Sequence, residues 1–372
     1  MPTTSHILQI LCAALTAAVF SACTPGAPVS EGTPLRLKHA TLLSIAEADS
    51  FTCVTVNDAW HPGSRLATYV LVPRDKAIPA NHPEGTLVRT PLQRIAITSS
   101  VHAALLADLH AEAAIAGMSD TAYLVSPRLK ALARRVSDLG SSMQPDVEKL
   151  RAIHADAIWV SPFENAGHGA LDRLGVPLIE CADYMETSPL GRAEWMRLYG
   201  RLTGRAKEAD SLFAAVEKAY ISLKIKVKDA TPRPAVFCDL RTGSVWYQPG
   251  GESTMGRYIQ DAGGNFLWGY RTESGSIPLT LESVYARARH ADIWLVKYGQ
   301  PLSLSYAQMA EDCPQYRQFD AWKRRRIMAC NTLYTPFYEE TPFHPELLLH
   351  NLIHVFHPQL VETPATFYYR AL

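Results

Sequence analysis

The chain has 372 residues, 47% of them hydrophobic and 19% charged, which is the composition of a globular protein long enough for two domains. Lysine plus arginine balance aspartate plus glutamate at 36 each, for a formal net charge of +0. That balance gives no support to a nucleic-acid partner or to a strongly charged surface.

The N-terminus is set apart from the rest. Residues 7–20 form an apolar run too short to span a bilayer comfortably, and Phe20-Ser21-Ala22 then leads into Cys23. We read residues 1–22 as a signal segment. Small residues directly before a cysteine resemble a bacterial lipobox, so Cys23 is expected to become the lipidated first residue of the mature chain. The segment before the apolar run lacks Lys and Arg, and an ordinary cleaved signal peptide is the alternative. Residues 23–36 are rich in Thr, Pro, Gly and Ser and read as the lipidated Cys and its flexible tether.

Residues 37–92 carry apolar or β-branched runs at 40–45, 51–56, 67–72 and 85–89, separated by turn signals. They predict a small N-terminal β-layer packed on the first of two lobes. Strand and helix patterns alternate across 93–187, with strands expected at 95–98, 113–117, 158–161 and 178–181. Helices are expected at 100–109, 127–135, 145–153 and 169–174. This is a βαβ series, hence a first α/β lobe around a parallel sheet.

Residues 188–231 read as connecting helices. Ser188-Pro189 has the pattern of an N-cap followed by proline at the first helical position. Trp195, Tyr199, Leu202, Ala206, Ala209, Phe213, Val216, Tyr220 and Leu223 recur at steps of three and four, an apolar stripe on one helical face. Gly200 and Gly204 are expected to divide it into a shorter helix and a long one over 205–228, with the Pro-rich 229–234 as the stop. Alternation resumes across 232–372, with strands expected at 235–239, 245–247, 293–297 and 327–329 and helices at 254–262, 281–289 and 345–356. The overall expectation is α/β: two α/β lobes with central parallel sheets, joined by one long helix.

Two stretches repeat. Glu148 to Val160 and Glu282 to Val296 each open on an acid, run as a short amphipathic helix into His-Ala-Asp, and end in an apolar strand containing Trp. The repeat points to two related lobes. Downstream of Cys23 lie Cys53, Cys181, Cys238, Cys313 and Cys330, without CxxC spacing. One disulfide is compatible with an oxidising compartment, Cys313 and Cys330 being nearest in sequence; buried thiols are the alternative. His350, His354 and His357 lack HExxH spacing, and the glycine pairs lack nucleotide-binding spacing, so neither a metal site nor a nucleotide site is predicted.

Several stretches carry a family resemblance: Arg94-Ile-Ala-Ile-Thr98, Ile115-Ala-Gly117, Val136-Ser-Asp-Leu-Gly140, Pro145-Asp-Val-Glu148 and Ala155-Asp156-Ala-Ile158 in the first half. In the second half they are Asp261-Ala-Gly-Gly264, Leu281-Glu282, Ala291-Asp292, His344-Pro-Glu346 and His357-Pro358. In this order the chain resembles the substrate-binding proteins of bacterial ABC importers for iron–siderophore, haem and cobalamin. The resemblance implies a monomeric carrier that is no enzyme and has no cofactor of its own. It also implies a metal-complex ligand held between two lobes, and a permease dimer with its cytoplasmic ATPase as partner. By the same resemblance Glu148 and Glu282, one per lobe, dock the permease; the alternative is that each acid simply favours the N-terminus of its own helix.

Open α/β sheets bind ligands beyond the carboxyl ends of their strands. The candidate contacts there are Ser99, Ser100, Tyr123, Phe163 and His168 in the first lobe. In the second they are Arg241, Trp246, Tyr247, Trp268, Arg271, Tyr298, Tyr334, Phe337 and Tyr338. The aromatics suit a large ring-rich ligand, and Arg241, Arg257 and Arg271 would meet carboxylate or catecholate oxygens. On that basis a ferric siderophore or haem is expected ahead of cobalamin. The competing expectations are an anchored chelatase or other enzyme using His102 or His168, and a surface scavenger that meets no permease.

Overall fold

The computed structural model describes residues 32–372; the expected signal segment, Cys23 and most of the tether lie outside the described residues. Strands β1 (Thr33–Pro34), β2 (Leu43–Glu47), β3 (Thr52–Asn57), β4 (Arg65–Pro73) and β5 (Thr86–Thr90) form the N-terminal sheet in that order. All neighbours run antiparallel except β4 and β5. One face of this sheet, with Ile45, Val54, Val56, Tyr69 and Leu71, joins the main core, so the sheet has no separate existence.

Two devices fix the layer to the first lobe. The Tyr69 hydroxyl donates to the Leu178 carbonyl at 3.0 Å and accepts the Glu180 N–H at 2.8 Å, closing off the edge of a strand that would otherwise be open to pairing. The buried Glu194 carboxylate accepts the backbone N–H groups of Lys38, His39 and Ala40, and buried Glu186 accepts those of Thr41 and Leu42. Charged acceptors on successive amides are strong where water is excluded.

The first lobe holds β6 (Ile95–Ile97), β7 (Ile115–Met118), β8 (Ser137–Asp138), a hairpin of β9 (Gly140–Ser141) and β10 (Gln144–Pro145), β11 (Ala157–Val160) and β12 (Leu178–Glu180). The sheet order is β12-β11-β6-β7-β8 and every pair is parallel. Strands β6 and β11 are buried along their whole length, as a sheet covered on both faces requires. The helix expected at 169–174 is only the 3₁₀ turn Leu171–Arg173.

The connector follows its sequence pattern closely. Ser188 caps Pro189–Glu194 by accepting the Gly191 N–H, a second helix covers Met196–Leu202, and the long helix is Ala206–Val227. At about 1.5 Å per residue it is roughly 33 Å long. Trp195, Tyr199, Leu202, Ala209, Phe213, Val216 and Tyr220 are all buried. Gly204, at φ +71°, makes the break. Gly200 does not; it lies within a helix, and a Cβ there would sit 2.4 Å from the Ala209 Cβ, so its role is the close approach of the long helix.

The second lobe contains β13 (Ala235–Cys238), β14 (Arg241–Thr242), β15 (Val245–Pro249), β16 (Asn265–Phe266), β17 (Ser276–Leu279), β18 (Ile293–Tyr298), β19 (Ile327–Asn331) and β20 (Arg370–Ala371). Its main sheet runs β16-β13-β18-β19-β20, parallel except for β20, and β14-β15-β17 form a small antiparallel sheet beside it. Strand β17 escaped the sequence because Pro278 interrupts its pattern.

The repeat has a structural meaning. Asp156 donates its N–H to Arg94 O, and its carboxylate accepts the N–H groups of Gln93 and Arg94 ahead of β6. Asp292 donates to Ala235 O and accepts the Ala235 N–H at the start of β13. Each aspartate therefore clips the entry of one sheet's inner strand to the corner before its neighbour. The cysteines at 181, 238, 313 and 330 are buried thiols, so Cys313 and Cys330 are not bridged; Cys53 is buried too.

Candidate functional site

A cavity of about 950 Å³ opens at the carboxyl edge of the first sheet. Its walls are the turns after β6 (Thr98, Ser99, Ser100), after β7 (Asp120, Tyr123) and after β11 (Ser161 to Leu171), with the hairpin residues Ser142, Met143 and Gln144 as a fourth side. Parallel strands deliver their exit loops to one edge, which is why residues so distant in sequence share it.

Asp120 positions the hairpin. It is held in the left-handed region at φ 55°, its N–H donates to Gly140 O at 2.8 Å, and its Oδ1 accepts the Ser142 N–H at 3.2 Å. Asp146, at the far end of the hairpin, accepts the N–H groups of Glu148 and Lys149 and caps the helix Val147–Ala152. Tyr123 is 75% exposed and Phe163 51% exposed, so both rings are open to a ligand.

His168 is fixed from behind. Its Nε2 lies 2.8 Å from Glu180 Oε1, and the hydrogen bond to that carboxylate raises the imidazole pKa above its ordinary value, against the opposing effect of partial burial. The acidic and basic side chains on the cavity wall are Asp120, Asp146 and His168, and among the described residues no arginine or lysine lines it.

A smaller pocket of about 470 Å³ lies at the carboxyl ends of β13 and β18 in the second lobe, lined by Asp239, Thr242, Tyr247, Ser253 and Lys297 among others. Asp239, at φ 57°, accepts the Lys297 N–H. Burial is the largest influence and works against the Lys297 ammonium, but Asp239 together with Tyr338, Cys238 and Cys330 leaves its pKa raised above the ordinary value. Its Nζ sits over the Phe337 ring, 5.6 Å from the centroid.

The periplasmic binding protein family matches residues 95–332, well over half of the chain. The protein belongs to the periplasmic binding protein family. This periplasmic binding protein is 26% identical over 255 residues to an uncharacterized lipoprotein of Methanocaldococcus jannaschii, a match spanning 65% of the chain and 60% of that relative's own length. It is also 26% identical over 169 residues to the iron-uptake system-binding protein of Bacillus subtilis, spanning 44% of this chain and 50% of that one. Among solved structures, an ABC-type Fe3+-hydroxamate transport system protein of Saccharomonospora viridis aligns with TM-score 0.58 at 18% identity, over 72% of this chain and 94% of that chain. A periplasmic heme binding protein of Pseudomonas aeruginosa aligns with TM-score 0.58 at 16% identity, over 75% and 97%. These structural likenesses establish the two-lobe fold.

Within this periplasmic binding protein the first-lobe candidates Ser99, Ser100, Tyr123, Phe163 and His168 all converge on the large cavity. The second-lobe candidates divide. Tyr247 lines the smaller pocket and is 47% exposed. Trp246 is corrected to a core residue: it is fully buried among Phe237, Trp294, Tyr316 and Phe319, with its indole N–H donated to Cys238 O at 3.0 Å. Trp268, 3% exposed against Phe266, and Phe337, buried beside Tyr368 and Tyr369, are corrected in the same way. A ring this deeply buried offers no open face to a ligand.

Arg271 is turned to Glu273 in a two-point ion pair on an exposed loop, and Arg241 gives its backbone N–H to the Tyr316 hydroxyl; neither lines the cavity or the smaller pocket. Tyr298, Tyr334 and Tyr338 also stand outside both linings, with the Tyr334 hydroxyl donated to Pro301 O. His102 is buried, bonded through Nε2 to Asp183 and packed by Trp159, Tyr199 and Phe343, so it is not a cleft base.

Sequence reasoning missed the hairpin residues 142–144, Asp239 and Lys297. The Gly-Ser-Ser turn at 140–142, between the motifs ending at Gly140 and beginning at Pro145, was the available signal for the hairpin. Asp239 and Lys297 sit at strand ends and carry no local sign of their role.

Glu148 and Glu282 are both exposed in the first turn of the helix that leads into β11 and β18 respectively. Such a helix runs back antiparallel to its strand, so its N-terminus lies at the carboxyl edge, where the cavity opens. Glu148 pairs with Arg151 at 3.0 Å. Glu282 is held below the usual carboxylate range first by its own helix N–H and then by Thr280. The helix-terminus role and a docking role are therefore compatible.

Proposed function

We propose that this protein is the lipid-anchored substrate-binding component of an ABC importer. It captures an iron complex or corrinoid between its lobes and delivers it to a membrane permease dimer with a cytoplasmic ATPase, without catalysis. The observation that carries this reading is the 950 Å³ cavity built from four converging loops, of the size that suits a large chelate. The iron-uptake name of the Bacillus subtilis relative and the Fe3+-hydroxamate name of the Saccharomonospora viridis structure support the ligand class.

The wall chemistry narrows it. Two aspartates and one histidine face the cavity, among the described residues no guanidinium does, and the open rings are Tyr123 and Phe163. A neutral or cationic chelate, of which a ferric hydroxamate is the plainest case, meets that wall without an uncompensated anion. A haem with two propionates or a tricarboxylate or tricatecholate complex would bring anions to carboxylates. This reverses the weight given to arginines by sequence.

Cys23 anchors the mature chain by lipid at the periplasmic face of the cell envelope, and the lipoprotein name of the Methanocaldococcus jannaschii relative supports this. Calorimetric titration with a ferric trihydroxamate, haemin and cyanocobalamin tests the ligand. Saturable one-to-one binding of the hydroxamate is expected to be tightest, and binding of none of the three would sink the ligand class. Cys23→Ala is expected to move the protein to the soluble fraction of the envelope; unchanged partitioning would sink the anchor.

A further inference from the structure

The long helix has a second face that the fold leaves uncovered. Ile221 is 41% exposed and Ile225 67% exposed, each in the outer part of a helix whose other face is buried core. Lys218, Ile221, Ile225 and Lys228 follow at steps of three, four and three, so they form one stripe along the helix. Between Lys218 and Lys228 the chain holds four lysines and no acid. Lys224 pairs with Asp261 at 2.8 Å, whereas Lys218, Lys226 and Lys228 have no carboxylate partner among the described residues.

Two of the neighbouring acids are already engaged, while a third, Asp229, is exposed directly after Lys228. Glu217 is taken by Lys38 and His39, and Asp261 by Lys224 and the Tyr220 hydroxyl. Shallow grooves run on either side of the stripe, and both include Ile221 and Ile225. One of them also includes Lys38 and the other His39.

We propose that this face rests on an anionic lipid bilayer. Exposed isoleucines ringed by unpaired lysines match a surface of negative headgroups over apolar chains, and they match nothing in water. The chain enters the described fold at Gly32, against Glu47 and Ala48, and only at Lys38 and His39 does it reach Glu217 at the edge of the stripe. None of the stripe residues lines the ligand cavity, so the cleft stays open to solvent in this state. Docking through Glu148 and Glu282 uses other surfaces, so lying on the membrane and docking on the permease are successive states.

The contact rests on the anchoring reading for its biology, but its test does not. The mature chain from position 23 onward, carrying Cys23→Ser and hence no lipid, is sedimented with vesicles of phosphatidylcholine alone or with one third phosphatidylglycerol. At least ~10-fold stronger binding to the anionic vesicles is expected, with loss at high salt. Ile221→Ser with Ile225→Ser, and separately Lys218→Glu with Lys226→Glu, are expected to abolish that preference while the melting temperature stays within a few degrees. Equal binding of wild type to both vesicle types, or an undiminished preference in both variants, would overturn the proposal. So would a concentration-dependent dimer in light scattering that the isoleucine variant dissolves, because the stripe would then belong to a second copy. A failure of anchoring shows elsewhere, as unchanged membrane partitioning of Cys23→Ala in cells.

Discussion

The Glu339 carboxylate of the second lobe accepts the backbone N–H of Ser126 in the first at 2.8 Å, and that of Val125 at 2.6 Å. Ser126 is the residue before the helix Pro127–Ala133, so a buried carboxylate meets the positive end of a helix across the lobe boundary. Close by, His344 lies 3.1 Å from Asp108 of the first lobe and 3.2 Å from Glu346. The lobes are therefore tied by charge as well as by the long helix.

Removing this tie is expected to loosen the lobes. Glu339→Ala should cost about 1.5–3 kcal/mol, the range for hydrogen bonds to a charged group, and should speed amide exchange at Val125 and Ser126. Burial would depress the His344 pKa, but Asp108 and Glu346 raise it to about 10. A raised histidine pKa stabilises fully below its unfolded value near 6.5 and loses that contribution as pH rises through about 10. Melting curves of wild type and His344→Gln should thus converge by about pH 10–11. A gap that persists there would count against the tie.

Asp183 predicts the acid limb of stability. Burial alone would raise its pKa, yet His102, Arg192 and the Tyr199 hydroxyl hold it at about 2. A depressed aspartate stabilises above its unfolded pKa, near 3.8, and loses that contribution as pH falls through about 2. Asp183→Asn breaks a buried charge cluster and should cost about 3–5 kcal/mol at neutral pH. Urea titrations from pH 7 to pH 2 should show the two chains approaching each other at the acid end. Parallel curves would refute the assignment.

Cavity aromatics of the first lobe and core aromatics of the second should behave differently. Tyr123→Ala and Phe163→Ala are expected to weaken ligand binding by at least ~1 kcal/mol each with little change in melting temperature. Trp246→Ala empties a packed core position and should cost about 3–5 kcal/mol in stability. Calorimetry and thermal melts on the same three variants separate the roles. Unchanged affinity in both cavity variants would remove the first lobe from the site.

Glu148→Lys with Glu282→Lys is expected to abolish uptake in cells while ligand affinity and melting temperature hold. Both acids are exposed, and the Glu148–Arg151 pair is worth little to stability. The wild-type contact with the permease should also weaken as salt is raised. Normal uptake by the double variant would end the docking role.

Local pattern carried much of this protein. The stripe from Trp195 to Tyr220 fixed the connecting helices, because side chains three and four apart must share a face whatever surrounds them. Ser188 before Pro189 set the first cap, and the apolar runs of β6 and β11 announced a covered parallel sheet. That the first-lobe candidates would line one cavity was legible for the same reason, since loops after parallel strands share one edge. Trp246 and Tyr247 mark where this ended. Adjacent in a strand, they point to opposite faces, and only the arrival of Tyr316 and Phe319, some seventy residues later, decided which face was core. The same holds for Asp156 and Asp292, whose shared task needs a partner strand at Arg94 or Ala235. Periodicity belongs to a segment, whereas burial and pairing belong to whatever the rest of the chain folds against it.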